Sequence, residues 1–253
     1  MNTLSTLRKE NYSDLLPETE DYAIPDDSLF YETIEERDEP MRKSLADSLF
    51  DPIEDFPEAL EYIKSRNVSL ETAKKLNIVY DSVNKRICFP VRARDSVLYG
   101  FSGRSIGDQT PKIMNYGSFA KSGYILGADL WVKKRPIVLV EGLFAYARLH
   151  EEIGDLPYNI GALMGSSISD NQKSILLYEY STVYLMLDGD APGLSATQRA
   201  YKKIYKDFQT LVTTFPEGKN DPADLTKEEI LSMLQKAKGL AVSLNNNHRK
   251  KTS

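Results

Sequence analysis

The sequence predicts an α/β protein: a mainly parallel sheet flanked by helices, preceded by a smaller α+β portion. Three observations carry this reading. From residue 136 onward, short continuous apolar runs ("PIVLV", "YNIGALMG", "TVYLML", "TLVTTF") alternate with helical patterns. Unbroken apolar strands between amphipathic helices are what a parallel sheet covered on both faces requires. Before them, "KRICFPVRARDSVLYGFSGRSI" combines β-branched and aromatic residues with glycines at bends, the pattern of strands around a turn. Ahead of that, "DFPEALEYIKSRNV" and "SLETAKKLNI" read as two short helices. Ser69 suits the N-cap of the second, because its hydroxyl can accept from an unpaired amide of the first turn.

The remaining elements follow in order. "GDQTPKIMNYGSFAKSGYILG" reads as a long loop. "LFAYARLHEEIG" and "SDNQKSILLYEY" read as helices, the latter capped by Ser169, and "PGLSATQRAYKKIYKDF" as a third helix with Pro192 in its first turn. "TKEEILSMLQKA" closes the series, with Thr226 and Glu229 spaced as a capping box. The chain divides into an acidic flexible arm (1–40), a basic N-terminal subdomain (41–130), the parallel-sheet domain (131–240) and a polar basic tail (241–253).

Composition narrows the function classes. Of 253 residues, 41% are hydrophobic and 27% charged, which suits a soluble globular protein. No window approaches ~18 unbroken apolar residues, so no membrane span is expected. The N-terminus lacks an apolar signal core, which makes the cytoplasm the expected compartment, that of a host if the source is a phage. One cysteine and two histidines cannot build a four-ligand zinc site of the usual kind, so no zinc is expected in this chain. The net charge of −5 hides an asymmetry. Residues 1–40 hold three basic and twelve acidic side chains, whereas residues 81–135 hold ten Lys/Arg against four Asp/Glu. Basic residues interleaved with aromatics in this second stretch favour a polyanion-binding surface.

The carboxylates are the strongest signal. Ligands of an open α/β sheet bind beyond the carboxyl ends of its strands. "TVYLML" runs into "DGDAPG", which puts Asp188 and Asp190 at such an end. "PIVLV" ends in Glu141-Gly142, and "TLVTTF" is followed by "PEGKNDPADL" with Glu217, Asp221 and Asp224. A single strand-end aspartate more often caps a helix. Three clusters in register predict one acidic cup, whose mutual repulsion calls for a cation. Oxygen donors without His or Cys suit Mg²⁺, with Mn²⁺ as the alternative. Cys88 reads as a buried core residue, His150 as structural or surface, and Trp131 as packing where the two subdomains join.

These motifs resemble the TOPRIM domain shared by DnaG-type primases, topoisomerases and some nucleases. "RICFPVRARDSVLYGFSGRSIGD", then "PKIMN" and "KSGYILG", is similar to the N-terminal subdomain of the RNA-polymerase core of DnaG-type primases. The likeness covers roughly residues 57 to 235 and is nearer to short phage primases than to full bacterial ones. It implies a TOPRIM-type fold and an enzyme, a DNA primase (a DNA-directed RNA polymerase and nucleotidyltransferase). Such an enzyme makes short RNA primers on single-stranded DNA during replication by Mg²⁺-dependent nucleotidyl transfer. It further implies that Glu141, Asp188 and Asp190 are catalytic and metal-linked, and that Asp221 and Asp224 complete the metal set. Arg92, Arg104, Lys112, Asn115 and Lys121 would face nucleic acid or nucleotide. The implied partners are a single-stranded DNA template, NTPs, and a replicative helicase or a separate zinc-binding subunit.

The sequence departs from the family pattern in three places. Where "VEG" is usually followed two residues later by an aspartate, Ala145 stands. Where the third motif often reads DPD, Ala223 follows Pro222 and Asp224 must substitute. No zinc-binding or helicase domain is evident. The alternatives are therefore a catalytically weakened TOPRIM protein that binds single-stranded DNA or a replisome partner, and a TOPRIM nuclease.

Overall fold

A computed structural model of the chain describes residues 38–179 and 182–240. Most of the expected arm and all of the 241–253 tail lie outside the described residues. Two four-stranded sheets organise the rest. The first is antiparallel, in the order β1 (Val79–Asp81), β2 (Arg86–Arg92), β3 (Leu98–Ser105) and β4 (Ile113–Tyr116). Three short helices precede it: α1 (Lys43–Leu49), α2 (Pro57–Ser65) and α3 (Leu70–Lys75). As expected, the Ser69 hydroxyl accepts from the Thr72 amide at 3.1 Å and caps α3.

The second sheet is parallel throughout. Its strands are β5 (Ile137–Val140), β6 (Asn159–Ala162), β7 (Val183–Leu185) and β8 (Thr210–Val212), in the spatial order β6-β5-β7-β8. Helices α4 (Leu143–Ile153), α5 (Asp170–Glu179) and α6 (Ala191–Ile204) make the crossovers, and α7 (Lys227–Lys236) follows β8. The predicted capping box is present: the Glu229 amide donates to the Thr226 hydroxyl at 3.3 Å, and the Thr226 amide to Glu229 Oε2 at 2.9 Å. Ser169 likewise accepts from the Gln172 amide at 2.9 Å.

One hydrophobic cluster joins the two sheets. Ile87, Phe89 and Val91 of β2 pack with Val138, Val140, Phe144 and Ala147 of the β5–α4 unit. The rings of Phe89 and Phe144 meet edge to face at 5.3 Å, and Tyr62 of α2 meets Phe144 the same way at 5.5 Å. Such pairs add about 0.5–1.5 kcal/mol each beyond the area they bury. The other face of the parallel sheet packs a second cluster, built from Ile137, Leu139, Leu185, Ala196 and Ala200. The far face of the antiparallel sheet is covered by α1, where Phe50 stacks near Phe101 and Tyr116.

Three local readings change. The segment expected to be a long loop contains β4, a short edge strand whose exposure alternates along Ile113–Tyr116. Pairing with β3 makes it a strand, and its polar, half-exposed residues hide that from the sequence. Helix α1 and strand β1 are likewise too short to show a period. The Trp131 ring is buried in the outer cluster, while its carbonyl accepts from Arg94 of the β2–β3 turn at 3.0 Å, so only its backbone lies where the two parts meet. Its indole donates to the Ile160 carbonyl at 2.8 Å, and a side chain at Gly161 would collide with its ring. Cys88 is fully buried, as expected.

Candidate active site

Strand order determines where a site can form. The chain steps from β5 to β6 on one side, then returns to β7 on the other side of β5. The gap between the carboxyl ends of β5 and β7 is therefore a topological switch point, the usual ligand crevice of open α/β sheets. Glu141 follows β5 and Asp188 follows β7, so these two carboxylates flank it.

The second acidic motif is shaped by close backbone approaches. Asp190 is the N-cap of α6, its Oδ1 accepting from the Gly193 amide at 2.8 Å. Its Oδ2 has no hydrogen-bond partner among the described residues. A Cβ at Gly193 would lie 2.1 Å from the Asp188 carbonyl oxygen, so only glycine lets α6 begin directly beneath Asp188. A Cβ at Gly189 would meet the Phe215 ring at 2.8 Å and Asn220 Cα at 3.2 Å. The Gly189 amide donates to the Asn220 carbonyl at 2.6 Å. Gly189 thus brings the third acidic loop against the second.

In that loop Asp221 caps a 3-10 turn, Pro222–Asp224, accepting from the Ala223 amide at 2.8 Å. Its other oxygen lies 3.7 Å from an Arg66 guanidinium nitrogen. Capping and charge are therefore both true of Asp190 and Asp221. Asp190 uses one oxygen on the backbone and leaves the other unbonded among the described residues, whereas Asp221 uses one on the backbone and turns the other toward Arg66. Asp224 is exposed and does not figure among the charges acting on Asp188 or Glu141, and Glu217 is exposed on the turn before it.

Electrostatics tie four of these groups together. Burial pushes the Asp188 carboxyl up to about 6, and the negative charges of Asp221, Glu141 and Asp190 push the same way. Burial also raises Glu141, with Asp190 adding to it, while Arg199 and Lys121 oppose the rise. Such coupling marks a pocket that would gain from a cation. No three acidic, His or Cys side chains among the described residues converge on one ligating point. Mg²⁺ does not need them to. It keeps several waters and commonly takes one or two carboxylates together with phosphate oxygens. The all-oxygen donor set fits that ion. Ala145, where an aspartate could have added to the cup, is buried in the core shared by the two sheets.

The basic and polar residues separate into three groups. Register pairs Arg104 with Ile87 and Ile113, and Ser102 with Phe89 and Asn115. Arg104 and Asn115 therefore lie on the same sheet face as Phe89, the face that packs on the first turn of α4 just after Glu141. Lys121 is exposed in a 3-10 turn, Lys121–Gly123, and its charge reaches Glu141. Lys112 is exposed just before β4, and its carbonyl accepts from Arg86 at 3.3 Å. Arg92 belongs elsewhere: its guanidinium donates to the Ser96 carbonyl at 2.9 Å and its charge acts on Asp129.

Two arginines near the site escaped the sequence reading. Arg66 arrives from the end of α2, stacks 5.4 Å from the Phe144 ring and reaches Asp221. Arg199, on α6, acts on Glu141. No local pattern near Arg66 signals its role, since its partner lies far along the chain. Arg199 is on the helix that follows the second motif, and its neighbourhood with Glu141 exists only once β5 and β7 are adjacent.

A Toprim-like family model matches residues 138–226, the stretch that carries all three acidic motifs. The DNA primase of Clostridium acetobutylicum is 28% identical over 189 residues, covering 69% of this chain and 31% of its own length. A DnaG primase catalytic domain solved bound to single-stranded DNA superposes with a TM-score of 0.65 at 20% identity, over 83% of this chain and 82% of that one. The chain shares the fold of the DnaG-type primase catalytic cores. The zinc-binding and RNA-polymerase domains of the Aquifex aeolicus primase superpose with the same TM-score at 24% identity, over 78% of this chain and 60% of theirs. The chain spans about a third of the length of the curated primases it matches. Among its described residues, no helix is long and apolar enough to cross a membrane.

Proposed function

We propose that the chain is the catalytic core of a DNA primase, making short RNA primers on single-stranded DNA by nucleotidyl transfer. The observation that carries the reading is the pair Glu141 and Asp188 at the β5/β7 switch point, coupled to Asp190 and Asp221. It is joined by the Arg104/Asn115 face that packs against the same end of α4. Glu141, Asp188, Asp190 and Asp221 would hold Mg²⁺ or Mn²⁺, with Asp224 a more distant participant. The ion would neutralise triphosphate charge and lower the pKa of an attacking hydroxyl.

The protein's own work is positioning. Asp190, pinned through one oxygen to a backbone amide, needs little reorganisation to present the other, while Asp221, pinned the same way, would have to share its other oxygen with Arg66. Arg104, Asn115, Lys112 and Lys121 supply cations and donors for a template or primer backbone, so binding should weaken as salt rises. The DnaG domain solved with single-stranded DNA, and a T7 lagging-strand polymerase assembly containing primase domains on an RNA/DNA hybrid, support such partners. A replicative helicase and a zinc-binding subunit are further proposed partners.

The test is primer synthesis on mixed-sequence single-stranded DNA with labelled NTPs and Mg²⁺ or Mn²⁺, against Asp188→Asn. Short RNA from the wild type but not from the variant is expected. The buried Ala145 favours a second reading, a protein that binds without synthesis. DNA binding with no RNA under either metal, even when a zinc-binding primase module is added, would select it. Metal-dependent DNA cleavage would select a nuclease.

A further inference from the structure

Residues 132–135 turn back on themselves just before β5, the Arg135 amide donating to the Val132 carbonyl at 3.3 Å. Glu141 follows β5, so this turn and the acidic cup lie at opposite ends of the strand. The buried Asn159, first residue of β6, braces the turn. Its Oδ1 accepts from the Val132 amide at 2.9 Å, and its Nδ2 donates to the carbonyls of Val132 at 2.8 Å and Arg135 at 3.3 Å. The two central residues, Lys133 and Lys134, are exposed on this fixed backbone. Lys134 holds φ 67°, the left-handed region where glycine or asparagine costs less, and it has no ion-pair partner among the described residues.

A third cation joins them from the β2–β3 turn. Lys133 Nζ lies 4.2 Å from the centroid of the Tyr178 ring, and the Arg94 guanidinium lies 6.0 Å from the same centroid. The bond from Arg94 to the Trp131 carbonyl ties the two segments together. The acidic side chains on these segments are already engaged. Asp95 accepts from the Val97 amide at 3.0 Å, and the charges of Arg92 and Arg94 act on Asp129. On either side of the buried Trp131, Leu130 and Val132 are 50% and 47% exposed. The patch therefore sets open aliphatic side chains beside a cluster of positive charge.

We propose that the turn at residues 132–135, with Leu130 and Val132, docks an acidic segment of a partner protein that carries an aliphatic side chain. The partner's carboxylates would meet Lys133 and Lys134, and its aliphatic group would cover Leu130 and Val132. Two features select a peptide over nucleic acid. Surfaces for single strands combine cations with rings on which bases stack. Here the ring, Tyr178, is engaged by Lys133 and Arg94, and the exposed apolar atoms are aliphatic. The turn also opens at the end of the sheet opposite the cup, so a partner held there leaves the cup uncovered. The proposal does not depend on which reaction the cup performs.

Fluorescence anisotropy on the full chain tests this with three labelled probes: a peptide of repeating Asp-Asp-Leu, a matching peptide of Asp-Asp-Ser, and oligothymidylate. The wild type is expected to bind the leucine peptide more tightly than the serine peptide. The double variant Lys133→Ser, Lys134→Gly should weaken the leucine peptide roughly tenfold, the size of two exposed ion pairs lost together, and leave oligothymidylate within about twofold. Glycine suits the backbone at 134, so thermal unfolding of this variant should not fall below that of the wild type. Val132→Ser should weaken the leucine peptide about threefold and leave the serine peptide unchanged. A wild type that binds neither peptide overturns the proposal, as does peptide binding that the double variant retains. Equal affinity for the two peptides would reduce the surface to a non-specific polyanion patch and also overturn it. A loss confined to oligothymidylate would assign the turn to nucleic acid instead. Self-association that the double variant abolishes, with no peptide bound, would assign it to a second copy of the chain.

Discussion

The two sheets carry chemistry in different ways. In the parallel sheet the strands are buried on both faces, and the polar residues with a claim on function all lie beyond the strand ends: Glu141, Asp188, Asp190 and Asp221. In the antiparallel sheet the candidates sit within the strands, Arg104 on β3 and Asn115 on β4. The reason is coverage. Helices on both faces of a parallel sheet leave only its ends open. An antiparallel sheet can bury part of one face and leave the rest of that face to a ligand. Here β2 uses the face to pack on α4, while the outer strands extend it past the buried area. One half of the molecule thus offers a fixed acidic point, and the other a basic surface.

That contrast can be broken at either half. The largest effect is expected from Asp188→Asn, which should lower primer synthesis by at least about 100-fold while single-stranded DNA still binds. Loss of both together would mean that the acidic point also grips nucleic acid. Next, Phe144→Ala removes the ring on which Phe89, Tyr62 and Arg66 converge. It should cost about 3–5 kcal/mol of stability, read by denaturant unfolding, because it opens a cavity at the junction of the sheets. A cost below 1 kcal/mol would show that the sheets do not depend on that contact.

Arg104→Ala should do the opposite of Asp188→Asn. It should weaken DNA binding several-fold and reduce the salt slope by about one, with little change in metal affinity. The pH dependence sharpens the comparison further. The Asp188 carboxyl is raised to about 6 in the folded chain, above the ordinary carboxylate value. Without metal the folded state therefore favours the protonated form. Its contribution to stability is complete below the unfolded value near 4 and disappears as pH rises through about 6. The metal-free protein should gain Tm between pH 7 and pH 5 from this group, and Asp188→Asn should erase that gain. Mn²⁺ affinity should fall over the same interval. The smallest effect belongs to Thr226→Ala, which removes the capping box of α7 and should lower stability by about 1 kcal/mol without touching synthesis.

Much of the cup was legible because its parts are local. An apolar run ending in "DGDAPG" announces a strand, a carboxylate pair and a helix start within ten residues. The caps at Ser69, Ser169 and Thr226 are equally local, since each joins groups three residues apart. The need for glycine at 189 is not local, because the crowding comes from Phe215 and Asn220 of the next loop. Arg92 carried the same local basic-and-aromatic signal as Arg104, yet its guanidinium is spent on its own hairpin turn.

What the sequence determined alone is whatever short-range spacing dictates: the alternation of strands and helices, the caps, and the carboxylates at three strand ends. The tertiary structure decided which carboxylates act on one another, because only the β6-β5-β7-β8 order makes Glu141 and Asp188 neighbours. It also decided that Asp221 rather than Asp224 joins them, and that Arg66 and Arg199 stand at the rim. Those pairings span tens to more than a hundred residues of chain, and no periodicity in a sequence encodes a contact made only when the sheet closes.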